Sequence, residues 1–202
     1  MNPVLVAYAT NAGSTEAVAV AVGEELSRGG TPVDVRRIHE VGGLNTYGAV
    51  IVGGPMIFGA WHREAVDFVA QQQQALRHVP VAFFMTALHL VRTADPNVTV
   101  PVYCDPALAT PRQHAGRLSF TERFSTVECY LAPVLSKAPF ITPLSVAFFG
   151  GKMDHRALTL PKRLFAQIVI RKPGDFRNWP AIRAWAADMR RVLLQEETAV
   201  PA

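Results

Sequence analysis

A short apolar run, Val4-Leu5-Val6-Ala7-Tyr8, breaks into Thr10-Asn11-Ala12-Gly13-Ser14-Thr15 and then into a long helical pattern rich in alanine and valine. Strand, hydroxyl-rich turn and helix in direct succession open a βαβ unit. That constrains the rest of the chain, because a parallel partner strand is reached only by a crossover of a dozen or more residues, and crossovers are right-handed. The turn also has chemistry. A helix start leaves backbone N–H groups unpaired and carries partial positive charge, so small hydroxyl residues there make a seat for a phosphate. Capping of the helix by Ser or Thr would use the same residues.

The alternation continues along the chain. Val33 to Ile38 alternates in polarity, whereas Ala49 to Gly53 is an uninterrupted apolar run of the kind found in parallel strands buried on both faces. Val81 to Met85 and Ser145 to Phe149 are further central strands. Helical patterns cover Thr15 to Arg28, stopped by Gly29-Gly30, and Arg63 to Leu76, with Gln71 to Gln74 on its exposed face. The last, from about Pro180 to Leu194, gathers Ile182, Trp185, Met189, Val192 and Leu193 on one face. These elements predict an α/β fold: one domain over residues 1–202, a doubly wound five-stranded parallel sheet in the order 2-1-3-4-5, and helices on both faces. In such sheets a ligand sits beyond the carboxyl ends of the strands where strand order reverses, so the turns after strands one and three face one crevice.

Residues 90–143 are too long for a single connection in this scheme. The stretch holds seven prolines, and helical periodicity runs only from about Ser119 to Leu135. It reads as a partly helical insertion between strands 4 and 5, near the crevice.

Composition narrows the class. Of 202 residues, 50% are hydrophobic and 18% charged, which fits a globular core and excludes general disorder. No apolar run approaches the roughly 20 residues of a membrane span, and no basic and hydrophobic leader opens the chain, so a cytoplasmic protein is expected. Cys104 and Cys129 lack metal-ligand spacing, so no metal site is expected. Between Gly150 and Val192 ten Lys or Arg face three Asp, a net +7 that favours an anionic partner: a carboxylate substrate or an anionic membrane surface. Nothing resembles a zinc finger or an RNA-binding signature, so nucleic acid is not expected.

The first turn lacks the lysine of a nucleotide-hydrolase P-loop and is not GxGxxG, which disfavours nucleoside triphosphate chemistry. A phosphate monoester held by amides and hydroxyls remains. The turn after strand three, Gly53-Gly54-Pro55-Met56-Ile57-Phe58-Gly59-Ala60-Trp61-His62, sets apolar and aromatic side chains between glycines. Such residues either cover a flat apolar ligand or tuck Phe58 and Trp61 beneath the second helix.

On these residues the chain resembles a known family. Thr10 to Thr15 is similar to the FMN phosphate loop of flavodoxins. Gly53 to His62 resembles, more narrowly, the flavin loop of flavodoxin-like protoporphyrinogen IX dehydrogenases. Phe149-Gly150-Gly151 and Asp175-Phe176-Arg177-Asn178-Trp179 follow that layout. The resemblance implies a flavodoxin-like fold with FMN as cofactor. Its phosphate would lie on Thr10, Asn11, Ala12, Gly13, Ser14 and Thr15. Its ring would lie against Pro55, Met56, Ile57, Phe58, Gly59 and Trp61, flanked by Thr86, Ala87, Leu88 and His89. Ala12 departs from the polar residue usual in such loops, and the insertion is longer than the family's own. The implied activity is oxidation of an organic substrate, a porphyrinogen in that family, with electrons passed to a quinone or a redox protein. Peripheral membrane association and a homodimer are compatible with it. The alternative is a flavodoxin-type electron carrier without a small substrate, for which an acidic surface would be expected. His62 and His89 are candidate donors to flavin or substrate, and Arg63, Arg92 and Arg112 candidate partners for carboxylates.

Overall fold

The computed structural model describes residues 2–57, 59–91, 98–111, 118–153 and 174–199. In chain order they form β1 (Val4–Tyr8), α1 (Ser14–Ser27), β2 (Val33–Arg37), β3 (Ala49–Ile57), β4 (Ala60–Trp61), α2 (Arg63–Gln71), α3 (Gln73–Leu76), β5 (Val81–Ala87) and β6 (Leu90–Val91). After them come β7 (Val102–Cys104), β8 (Ala109–Thr110), α4 (Phe120–Arg123), α5 (Val127–Lys137), β9 (Ser145–Gly150), β10 (Lys152–Met153), β11 (Gly174–Asp175) and α6 (Trp179–Ala199).

Parallel strands lie in the order β2-β1-β3-β5-β9-β7, with β4 folded back antiparallel on the end of β3. The first five reproduce the expected doubly wound sheet. The sixth widens it: β7, from within the insertion, pairs Val102 with Val146 of β9 at the sheet edge. Three residues between Pro101 and Pro106 show no readable period. An edge is also where prolines fit, since they donate nothing to a ladder.

Strand alternation sends each sheet residue to one of two cores. Leu5, Val50, Phe83 and Phe148 face α2 and α5. Val6, Ile51, Phe84 and Phe149 face α1 and α6, where Trp185 is buried and its indole N–H donates to Ser145 Oγ at 3.0 Å. The adjacent phenylalanines Phe83-Phe84 and Phe148-Phe149 thus put one ring into each core, each buried ring contributing about 2–3 kcal/mol.

Two expected helices are broken. The Arg63 to Leu76 pattern is interrupted at Gln72, where φ is −92° and ψ 7°, and this turns Gln72 and Gln73 partly inward rather than onto an exposed face. The Ser119 to Leu135 pattern is α4 and α5 in succession. Ser119 and Glu122 form a reciprocal cap on the first, and Thr126 restarts the chain by accepting from the Cys129 N–H at 3.2 Å. Within the insertion, α5 supplies the crossover that packs beside α2.

Candidate functional site

The carboxyl ends of β1, β3 and β5 converge at one edge of the sheet. The Ala9 N–H donates to the Gly53 carbonyl at 2.9 Å, so the chain leaves β1 already tied to β3. The turn then closes on itself, Gly13 N donating to Thr10 Oγ1 at 3.0 Å. Gly13 has φ +79°, a left-handed conformation that suits glycine, and it stands at the cap position of α1 with no side-chain cap on the helix. The hydroxyls of Ser14 and Thr15 do not cap α1, and among the described residues its first-turn N–H groups have no side-chain acceptor.

Asn11 and Ala12 are exposed, while Thr10, Gly13 and Ser14 are half-buried. Thr15 is fully buried, with Oγ1 3.0 Å from Thr86 Oγ1 at the end of β5. Its hydroxyl ties the helix start to β5 instead of opening onto the surface. Glu16, in the first turn, pairs with Arg37 at 2.8 Å, and the Tyr8 hydroxyl and Glu16 raise the pKa of the Arg37 guanidinium above its usual value. No sequence pattern hints at that pair, because its members lie on different elements.

The loop after strand three is a hairpin. Met56 pairs with Trp61 and Ile57 with Ala60, and Gly59 at the tip has φ +80°. A side chain on Gly59 would come within 3.2 Å of the Phe124 carbonyl, so the turn between α4 and α5 closes against the hairpin. Pro55, Met56 and Ile57 are half-buried. Trp61 faces inward. It is 4% exposed, packs on Phe83 at 5.4 Å between ring centres, and donates its indole N–H to the Gly54 carbonyl at 3.2 Å. It props the hairpin from beneath. Phe58 lies outside the described residues.

His62 caps the start of α2, its backbone N–H bonded to the Pro55 carbonyl at 3.0 Å. Its Nε2 donates to Asn11 Oδ1 at 2.9 Å, joining the hairpin to the first turn. Its Nδ1 is buried without a hydrogen bond, 4.0 Å from Glu64. In the third loop Thr86 and Ala87 are buried, and the Ala87 carbonyl accepts from Gly151 N at 2.8 Å. Leu88 and His89 are half-buried. The Tyr130 hydroxyl donates to the His89 carbonyl at 3.0 Å, and burial pushes that phenol's pKa up, keeping it a donor. Asp105, also missed in the sequence, is fully buried where β7 and β9 end. It accepts from Ala107 N at 2.9 Å and Asn178 Nδ2 at 2.8 Å, and so fixes the entry to α6.

The proposed carboxylate partners are less gathered. Arg63 is 93% exposed and reaches Asp67; Arg92 and Arg112 lie outside the described residues. In the basic segment, Arg177 is held by Asp175, Arg183 by Glu24, Arg190 by Glu25 and Arg191 by Asp188. Arg156, Lys162, Arg163, Arg171 and Lys172 lie outside the described residues. Burial and Glu128 push the Cys129 thiol up, away from a reactive thiolate. Among the described residues no cluster of His, Cys, Asp or Glu could hold a metal ion, and no helix is long and apolar enough to cross a membrane.

The flavodoxin domain family matches residues 5–177, and the chain belongs to that family. No protein of curated function matches it. Among solved structures it is similar to a flavodiiron core from Synechocystis (TM-score 0.54, 9% identity, 96% of this chain and 36% of that one). The flavodiiron protein of Giardia intestinalis is a second (TM-score 0.51, 12% identity, 100% of this chain and 38% of that one). Rubredoxin oxygen:oxidoreductase from Desulfovibrio gigas is a third (TM-score 0.50, 15% identity, 99% and 38%). The chain spans little more than a third of these proteins, and at such identities the likeness is one of fold. Family membership indicates FMN as the cofactor. The residues present fit it: an uncapped fourteen-residue helix meets a hydroxyl-bearing turn, which suits a phosphate monoester without lysine or metal.

Proposed function

We propose that the chain is an FMN-dependent oxidoreductase that transfers electrons from an organic substrate to a separate acceptor. In the finer form of the proposal the substrate is a porphyrinogen and the acceptor a quinone. The observation that carries the cofactor part is the start of α1, where Gly13 leaves the first-turn N–H groups without a side-chain cap, beside the hydroxyls of Thr10 and Ser14. Those groups would hold the phosphate. Pro55, Met56 and Ile57 on one side and Leu88 and His89 on the other, all half-buried, are the described residues offered to the ring. Trp61, Thr86 and Ala87 support them from behind. When bound, FMN supplies the capacity to take up and release one or two electrons. The protein orients the ligands and keeps water from the apolar side of the hairpin.

The porphyrinogen reading is supported by the resemblance of Gly53 to His62 to the corresponding dehydrogenase loop. A quinone acceptor would bring the protein to a membrane surface without spanning it. The test begins with the visible spectrum of purified protein and identification of any flavin released on denaturation. Protein that stays colourless after FMN is added would overturn the cofactor reading. With FMN bound, anaerobic bleaching by protoporphyrinogen and recovery on adding a quinone are expected. An unbleached spectrum would remove the porphyrinogen and leave a flavodoxin-fold electron carrier.

A further inference from the structure

Glutamates at the third position of a helical turn do not all behave alike in this chain. In the short 3₁₀ turn Ile38–Glu40, Glu40 reaches back to the cap residue, and Arg37 N donates to its Oε2 at 3.2 Å. Glu122 does the same in α4, where Ser119 N donates to Glu122 Oε2 at 2.7 Å. Such a return satisfies the backbone N–H at the cap and is a common resting place for a carboxylate at this position. Glu16 holds the same position in α1, but its Oε2 accepts from Arg37 Nη2 at 2.8 Å, and the cap N–H of Gly13 turns to Thr10 Oγ1 instead. The sheet sets this up. Its register pairs Tyr8 of β1 with Arg37 of β2, and the Arg37 guanidinium donates to the Tyr8 hydroxyl as well as to Glu16.

We propose that Arg37 is a positioning residue for the cofactor phosphate: it holds the Glu16 carboxylate away from the cap of α1, so that the donors there stay open to an anion. This rests on the FMN reading above and adds to it a residue that acts on the phosphate only through another side chain. Two effects work in the same direction. Released from Arg37, Glu16 has the spacing of a capping box and would compete from within the chain for the Gly13 N–H. Its charge, no longer paired, would also stand in the first turn of α1 beside the phosphate, where like charges repel. The side chains of Arg37 and Glu16 are 44% and 38% exposed, so the pair contributes little to stability. Its loss is felt by the ligand rather than by the fold.

Riboflavin has the ring and ribityl chain of FMN without the phosphate, so the ratio of the two affinities isolates what the phosphate adds. Both are measured by fluorescence quenching at one fixed ionic strength for wild type, R37M, E16Q and E16Q/R37M. R37M is expected to weaken FMN about fivefold, the scale of one exposed ion pair, and to leave riboflavin unchanged. In the E16Q background there is no carboxylate left to hold, so adding R37M should change FMN affinity by less than about twofold. An unchanged ratio of FMN to riboflavin affinity in R37M would overturn the proposal. So would a loss from E16Q to E16Q/R37M as large as that from wild type to R37M, because Arg37 would then act on the anion directly. R37Q repeats the measurement if R37M does not fold, with the same loss expected and the same dependence on Glu16. A wild type that binds no FMN removes the cofactor reading and this role together, whereas FMN binding that R37M and R37Q leave untouched removes the role of Arg37 alone.

Discussion

The amino-terminal turn and the carboxyl-terminal third both read, as sequence, as places that meet an anion. Folded, they diverge. The turn keeps its donors open: Gly13 leaves α1 uncapped, and Thr15 is turned inward to Thr86. In the last third, the described arginines are answered by acids. The partners of Arg183 and Arg190 come from 159 and 165 residues away on α1, and no count within the segment could reveal them. A short motif carries its chemistry in its own backbone. A regional surplus of charge is read less directly: among the described residues, two of its arginines are met by carboxylates of α1.

The same contrast governs what a single methyl group does in each region. A Cβ on Gly150 would lie 1.9 Å from the carbonyl oxygen of Phe176, where backbone meets backbone and neither can step aside. G150A is expected to lose about 3 kcal/mol or more, at the upper end of overpacking effects. Gly13 has nothing within 4 Å of such a Cβ and meets only the left-handed backbone preference, so G13A should cost about 1 kcal/mol. Urea unfolding of both variants checks the order. Equal losses would mean that the β9 end yields as freely as the open turn.

Next in size are the arginines of α6. Arg190 donates to the Glu25 carbonyl and carboxylate at 2.9 and 3.2 Å, and the Glu25 side chain is 6% exposed. Removing a partner from a buried pair costs several kcal/mol, but Arg28 stays 2.7 Å from the same carboxylate, so R190M is expected to lose about 2 kcal/mol. Arg183 and Glu24 are both well exposed, and R183M should change stability by less than about 0.5 kcal/mol. Thermal unfolding that showed a larger loss for R183M than for R190M would contradict the assignment of burial as the deciding factor.

What the sequence disclosed follows the same division between local and distant. The apolar runs at Val4, Ala49, Val81 and Ser145 were legible because strands buried on both faces carry few polar residues to blur them. The three-residue β7 was not, since its position depends on Val146 of another strand. At the site, the uncapped turn was visible in outline. The burial of Trp61 was not, because an aromatic between glycines looks the same whether it faces a ligand or Phe83. Nor were the bonds from Asn11 to His62 and Tyr130 to His89, each of which needs two segments distant in sequence brought together by the fold.

A small, pH-dependent effect lies where the last third does hold a local pair. Asp175 is two residues from Arg177, which donates to it through Nε at 2.8 Å, and the guanidinium rests 4.7 Å over the Trp179 ring. The hydrogen bond from Arg177 is the main cause that lowers the Asp175 pKa below that of an ordinary aspartate, against a smaller upward push from burial. A carboxylate depressed in the folded state adds stability above its unfolded pKa and loses it as pH falls through the folded value. The Asp175 side chain is 43% exposed, so solvent screening holds the gain to less than about 1 kcal/mol. D175N should therefore be slightly less stable than wild type at pH 7, and the gap should narrow as the pH falls through the ordinary aspartate range towards the depressed folded value, where the wild-type carboxylate takes up its proton. Urea midpoints of the two proteins from about pH 7 to about pH 2.5 measure it, a range that brackets the aspartate titration. A gap that stays constant over that range would assign the difference to packing over Trp179 rather than to the charge of Asp175.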